Sequence, residues 1–184
     1  MKRTTDIILA LLALPVALPV IVLCVAVIRA TSHGPAIFRQ TRVGLQERPF
    51  TCYKLRTMFS DTRDAPSHET SVSAVTPVGK WLRRLKMDEL PQLVNIFRGE
   101  MSLVGPRPCL PSQAEIIAAR RARGIYTIRP GITGRSQVAG IDMSDPERLA
   151  ESDAEYLRAM SLGTDLRLIA RTVLGGGRGD RVRN

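Results

Sequence analysis

Charge vanishes from the chain between Asp6 and Arg29: no Asp, Glu, Lys or Arg stands from Ile7 to Ile28. At ~1.5 Å per residue this run reaches roughly 33 Å as a helix, about the thickness of a bilayer's hydrocarbon core. The pattern predicts a membrane helix over residues 1–30. A cleaved signal peptide shares the basic start at Lys2 and Arg3. Its apolar region is shorter, about 7–15 residues, and no clean small-residue cleavage site follows here because Arg29 intrudes. Pro15 and Pro19 lie inside the run, and each removes a backbone donor and crowds the preceding turn, which predicts a break or bend. Lys2 and Arg3 precede the segment, and Arg29, Arg39, Arg42 and Arg48 follow it. Positive residues favour the cytoplasmic face, so both flanks ask for the same side. A helix that dips in and returns satisfies both flanks and a simple span satisfies one; the residues leave both readings open.

Beyond residue 30 the pattern shortens. Ile37-Phe38-Arg39 and Phe50-Thr51-Cys52-Tyr53 alternate around a turn-rich middle containing Gly44 and Pro49, which predicts a β-hairpin or two short strands. Alternation places Lys54 and Arg56 on one face. Ser60–Thr76 is rich in Ser, Thr, Asp and Pro and predicts a surface loop. Pro77–Leu85 predicts a short basic helix with Trp81, Leu82 and Leu85 on one face and Lys80, Arg83 and Arg84 on the other. Such a helix suits a membrane interface, or packs its Trp into the core. Asp88–Phe97 predicts a helix capped by Asp88, with Glu89 and Pro91 in its first turn. Further helices are predicted at Ser112–Arg123, Pro146–Met160 and Asp165–Leu174. Between the first two of these, Arg129 to Arg135 predicts a Gly-rich turn that offers backbone N–H groups to an anion. Residues 176–184 read as a disordered basic tail. The fold class is α+β, mostly α, with interfacial amphipathic helices and one catalytic domain over residues 31–175.

Charge changes the picture of partners. Lys plus Arg number 27 against 17 acids, a net charge of +10, which calls for an anionic partner such as nucleic acid, a membrane surface or phosphorylated substrates. Aromatics make up only 4% of the chain, too few for stacking bases along a single strand, so no nucleic acid is expected. Cys24, Cys52 and Cys109 are scattered without CxxC spacing, and His33 and His68 stand alone in polar stretches. Neither a zinc site nor a disulfide framework is expected.

The densest chemistry lies in Lys86–Pro108, KMDELPQLVNIFRGEMSLVGPRP. The adjacent carboxylates Asp88 and Glu89 stand among Arg83, Arg84, Lys86 and Arg98, and the rigid turn Gly105-Pro106-Arg107-Pro108 holds one more guanidinium. Acids beside bases near stiff turns suit a site that handles phosphate and a metal. The same pair of acids also suits a helix N-terminus, where it complements the dipole.

Five motifs then occur in order: Gly34-Pro35-Ala36-Ile37-Phe38-Arg39-Gln40, Tyr53-Lys54-Leu55-Arg56-Thr57-Met58, Asp88-Glu89-Leu90-Pro91-Gln92-Leu93, Met101-Ser102-Leu103-Val104-Gly105-Pro106-Arg107-Pro108 and Pro130-Gly131-Ile132-Thr133-Gly134. In these the chain resembles the bacterial sugar transferases, the small monotopic phosphoglycosyl transferases that put a sugar phosphate on a polyprenyl phosphate. The resemblance implies a re-entrant N-terminal helix kinked at Pro15 and Pro19 on the cytoplasmic face of the bacterial inner membrane; Leu18 stands where many members carry Ser. It implies a UDP-sugar and undecaprenyl phosphate as substrates, inner-membrane lipid as surroundings, and Mg²⁺ as cofactor. Asp88 takes the nucleophile position and Glu89 the second acidic position, with both carboxylates as candidate metal ligands. Lys54, Arg56 and Arg107 fall at phosphate-binding positions, and Asp165 at an acidic position near the nucleotide pocket. One departure stands out. Many members read Gln-Val-Asn-Gly-Arg after the Pro-Gly turn, and here Ile141 replaces that Arg; either Arg129 or Arg135 supplies the charge or the site takes a different sugar, and the sequence leaves both open. The exposed amphipathic face could also serve a homodimer. The rival readings are a non-catalytic, membrane-tethered basic module for anionic lipid or nucleic acid, and a degenerate scaffolding relative; the intact Asp88, Glu89 and Lys54 argue against degeneracy.

Overall fold

The computed structural model describes residues 2–60, 62 and 72–175. Its elements in chain order begin with α1 (Lys2–Thr31), the strands β1 (Ile37–Val43) and β2 (Pro49–Leu55), and α2 (Pro77–Arg84). A 3-10 helix over Met87–Gln92 leads into α3 (Leu93–Phe97), then β3 (Ser102–Val104), α4 (Ala114–Ala122) and β4 (Gly131–Thr133). The helices α5 (Arg135–Ala139), α6 (Pro146–Arg158) and α7 (Leu162–Val173) follow. The tail at 176–184, most of the expected loop and His68 lie outside the described residues.

The long apolar run folds as one continuous helix with Pro15 and Pro19 inside it, so of the expected break or bend the break does not occur. Pro15 and Pro19 both stand on the exposed face, where their rings displace no contact with the rest of the protein. The opposite face is a stripe at four- and seven-residue spacing: Asp6, Ala10, Ala17, Cys24 and Ile28 are buried. Ala10 and Ala17 pack with Phe50, Cys52, Leu93, Ile96 and Met101. Cys24 and Ile28 pack with Ala36, Leu55 and Leu82. At the other end, Lys2 Nζ pairs with Asp165 at 2.6 Å, while Asp6 accepts from Ser102 Oγ at 2.8 Å and from Leu103 N–H at 3.1 Å. The domain therefore runs along the whole helix. Ile8, Leu11, Leu12, Val16, Leu18, Val22, Leu23 and Val27 remain exposed on the outer face, a contiguous apolar surface unsuited to water.

The expected hairpin forms. β1 and β2 pair antiparallel, with Phe38 opposite Lys54, Gln40 opposite Cys52 and Arg42 opposite Phe50. The period-two rule then puts Gln40, Arg42, Phe50, Cys52 and Lys54 on one face, which is turned inward.

The Gly-rich turn at 129–135 is corrected. Its Gly131–Thr133 is strand β4, parallel to β3, and Gly131 N–H is already bonded to the Pro106 carbonyl at 2.9 Å, so it is not turned to an anion. The glycines serve close approach: a Cβ on Gly131 would lie 2.1 Å from the Gly105 nitrogen, and one on Gly134 would lie 2.2 Å from the Gly105 carbonyl oxygen. Trp81 is exposed, with the Arg84 guanidinium 5.7 Å from its ring centre, so it does not enter the core.

Candidate active site

Asp88 is the second residue of the 3-10 helix and not a cap. The residue before that helix, Lys86, takes a left-handed conformation at φ 57°, and no side chain caps the turn. A lysine held there is uncommon, and such residues gather at functional sites. The turn reverses the chain after α2 and points the adjacent acids different ways. Asp88, 6% exposed, lines a cleft of about 770 Å³ between α1, the hairpin and α2. Glu89 lies behind it in an ion cluster: it accepts from Arg107 Nη2 at 2.7 Å and from Lys54 Nζ at 3.4 Å.

The hairpin's inward face brings Lys54 beside Asp88 in the cleft wall. Arg42, a flanking charge of the apolar segment in the sequence, lines the same cleft, buried, with Nη1 on the Pro108 carbonyl at 3.0 Å and Nη2 on Gln40 Oε1. Alternation from Lys54 back across the hairpin was the signal that could have found it. Cys52 sits on this face too; burial pushes its thiol up, against the pull of Lys54 and Arg42. The Lys86 amine is lowered, chiefly by burial, with Glu89 opposing and Arg107 adding to the shift.

Arg56 also lines the cleft, yet most of its guanidinium holds the end of α1: Nη1 reaches the His33 carbonyl at 2.5 Å, and Nη2 reaches the Ser32 carbonyl at 2.9 Å and Ser32 Oγ at 2.6 Å. Its Nε and Nη1 of Arg83, both buried, have no partner among the described residues, and both side chains line the cleft. Donors of this kind, with Lys54 and Arg29, leave the cleft strongly cationic and short of acceptors. The other wall is apolar, with Val25, Pro35, Ile37, Phe38, Met58 and Phe59.

Three expected residues are not brought here. Arg129 Nε donates to the Gly99 carbonyl at 2.7 Å, and Arg135 pairs with Glu155 on α6. Asp165 accepts from Lys2 and from Tyr156 Oη at 2.7 Å, joining α1, α6 and α7. None of the three lines the cleft. Ile141 itself packs, half-buried, against Val43, Cys109, Ile116 and Leu149. The cations that the fold supplies to the cleft are Arg29, Arg39, Arg42, Lys54, Arg56 and Arg83.

No group of three or more His, Cys, Asp or Glu converges on one point among the described residues. Mg²⁺ usually takes one or two carboxylates and completes its shell with water and substrate phosphates. Asp88 presents one hard oxygen donor to the cleft, while Glu89 is engaged by Arg107 and Lys54.

A carboxylate in a cationic cleft, beside a helix with a bare apolar face, is consistent with a membrane-associated protein equipped to receive an anion. The comparisons narrow the class. The bacterial sugar transferase family matches residues 1–177. The chain is 40% identical over 182 residues to the UDP-glucose:undecaprenyl-phosphate glucose-1-phosphate transferase of Caulobacter vibrioides, covering 94% of this chain and 68% of that one. It is 35% identical to the UDP-N-acetylgalactosamine-undecaprenyl-phosphate N-acetylgalactosaminephosphotransferase of Aeromonas hydrophila, covering 94% of this chain and 42% of that one. It is 35% identical to the exopolysaccharide production protein ExoY of Sinorhizobium fredii, covering 94% of this chain and 83% of that one. The chain thus spans less than half of the Aeromonas relative and most of the other two. It belongs to the bacterial sugar transferase family.

Proposed function

We propose that the protein transfers a sugar 1-phosphate from a UDP-sugar to undecaprenyl phosphate, giving undecaprenyl-diphospho-sugar and UMP, at the cytoplasmic face of the bacterial inner membrane. The observation that carries this reading is Asp88 in a cleft of about 770 Å³ with cations on one wall and an apolar lining beside α1. The names of the Caulobacter and Aeromonas relatives share undecaprenyl phosphate and differ in the sugar, glucose in one and N-acetylgalactosamine in the other. They support undecaprenyl phosphate as the acceptor and leave the sugar open.

In the proposed reaction the Asp88 carboxylate attacks the sugar-bearing phosphorus. A carboxylate oxygen–phosphorus bond forms, the bond to the bridging oxygen breaks, and UMP departs with that oxygen. A phosphate oxygen of the polyprenyl carrier then attacks the same phosphorus and returns Asp88 as a free carboxylate. Lys54 and Arg56 line the route of the diphosphate, and the unpartnered Arg83 and Arg56 donors suit its oxygens. Arg107 and Lys54 hold Glu89 in place behind the nucleophile. Asp88, the acid of the pair that faces the cleft, would hold Mg²⁺, which would neutralise part of the charge gathered there.

Packing along the whole of α1 supports a monotopic arrangement. A helix whose two ends touch one domain has no length left to put them on opposite sides of a bilayer. Its bare outer face would lie in lipid, with the exposed Trp81 of α2 at the interface.

The test is intact mass of purified protein with Mg²⁺ and a panel of UDP-sugars, with the lipid left out. The expected result is a sugar-phosphate adduct with one donor, absent in Asp88→Asn. UMP release only when lipid phosphate is added, with no adduct, would replace the covalent route with direct transfer. No UMP release with any sugar would overturn the reading.

A further inference from the structure

Three helices meet behind the cleft around one fully buried ion pair. Arg120 on α4 and Asp153 on α6 are 1% and 2% exposed, joined through Arg120 Nε to Oδ2 at 2.9 Å and through Nη2 to the same oxygen at 2.7 Å. Ser136 of α5 donates to Asp153 Oδ1 at 2.6 Å. A buried pair of this kind is weak evidence of stability, because well-packed apolar residues often do as well. Its third bond gives it another purpose: Arg120 Nη1 donates to the carbonyl of Arg107 at 2.8 Å.

That carbonyl belongs to a backbone held at four successive oxygens. Pro106 accepts from Gly131 N–H at 2.9 Å, Arg107 from Arg120, Pro108 from Arg42 Nη1 at 3.0 Å, and Cys109 from Val43 N–H at 2.9 Å. Two of the four donors are buried guanidiniums. The flanking prolines add stiffness, since Pro108 also restricts Arg107 to extended backbone. Residue 107 then spends its own guanidinium on Glu89, next to Asp88.

We propose that the Asp153–Arg120 pair is a positioning device for the reaction: Ser136 orients Asp153, Asp153 orients Arg120, and Arg120 fixes the Arg107 backbone so that its guanidinium meets Glu89. The inference rests on the proposed function of the Asp88–Glu89 site. Arg120 and Asp153 touch no substrate, and everything they contribute passes through Arg107.

A double-mutant cycle tests this, with UMP release measured in the presence of Mg²⁺, UDP-sugar and undecaprenyl phosphate for wild type, Arg120→Met, Arg107→Ala and the double variant. Residues that act through one another are non-additive, so Arg120→Met should lower kcat about tenfold or more with Arg107 present and less than about twofold in the Arg107→Ala background. Ser136→Ala, which leaves both charges in place, guards against misfolding of Arg120→Met. It should lower kcat by a smaller factor that likewise vanishes in the Arg107→Ala background. A role confined to stability would lower the folded fraction alike in both backgrounds, so equal losses, or no loss, overturn the inference while an active wild type keeps the function. A wild type that releases no UMP overturns both.

Discussion

Glu89 and Arg107 stand 18 residues apart in sequence and meet at 2.7 Å, with Lys54 closing on the same Glu89 oxygen from the hairpin at 3.4 Å. The adjacent Asp88 lines the cleft. Glu89→Gln should remove the negative charge that two half-buried cations share. We expect a loss of about 1–3 kcal/mol in stability and a fall in UMP release of about a hundredfold or more. Arg107→Lys, which keeps the charge but not the planar fork, should fall in between. Thermal unfolding in detergent and initial rates check both, and an unaltered rate in Glu89→Gln would contradict the arrangement.

Asp6 is the one acid buried on the inner face of α1, and it satisfies Ser102 Oγ and the Leu103 N–H. Asp6→Ala leaves both donors without that acceptor. The expected cost is about 1–3 kcal/mol, read as a lowered unfolding midpoint, with the turnover of the folded fraction retained.

Gly131→Ala would force a methyl against backbone, 2.1 Å from the Gly105 nitrogen and 2.5 Å from the Thr133 carbonyl oxygen. No side chain can yield there, so β3 and β4 must separate. A loss above about 3 kcal/mol is expected, seen as poor yield of folded protein. Gly124→Ala, where a Cβ meets nothing within 4 Å, bears only the penalty of its positive φ of 68° and should cost about 1 kcal/mol.

Tyr126 and Tyr156 both have their phenols raised, each chiefly by burial, with Cys109 next for Tyr126 and the hydrogen bond to Asp165 next for Tyr156. Raised acids keep their protons in the folded state after the unfolded chain has lost them. Their contribution is therefore intact below the unfolded value of about 10 and is lost as pH rises beyond it, at about 1.4 kcal/mol per pH unit for each tyrosine. Unfolding midpoints should hold steady to about pH 8.5, where the unfolded Cys52 thiol begins to ionise while its buried native form does not, and fall more steeply beyond about pH 10. Tyr156→Phe should flatten part of that fall, and an unchanged alkaline slope would count against it.

Topology is checked by single cysteines at Lys2 and His33 in a background without Cys24, Cys52 and Cys109. Both should react with an impermeant maleimide from the same side of sealed vesicles. Labelling from opposite sides would establish a spanning helix.

The chain's local pattern was enough to determine the long apolar helix, the presence of the hairpin and the helices at 77–85, 112–123 and 146–160 to within a few residues. Each depends on periodicity, on prolines and on caps such as Thr76 and Asp145, all of which act over a few residues. The motif order also determined the family and singled out Asp88, Glu89, Lys54 and Arg107, which the fold does gather. What the sequence could not carry is partner choice between distant segments. Arg129, Arg135 and Arg42 look alike as isolated guanidiniums, yet only Arg42 lies on the hairpin face that turns inward to the cleft. Pro15 and Pro19 predict a break by local rules, but both fall on the outer face of a helix pinned along its other side, and the packing of Ala10, Ala17, Cys24 and Ile28 keeps it whole. The Gly-rich turn became a strand because Gly105 and Gly131 can approach as only residues without a side chain can. Local chemistry named the reacting groups; burial and long-range pairing decided which of them share a site.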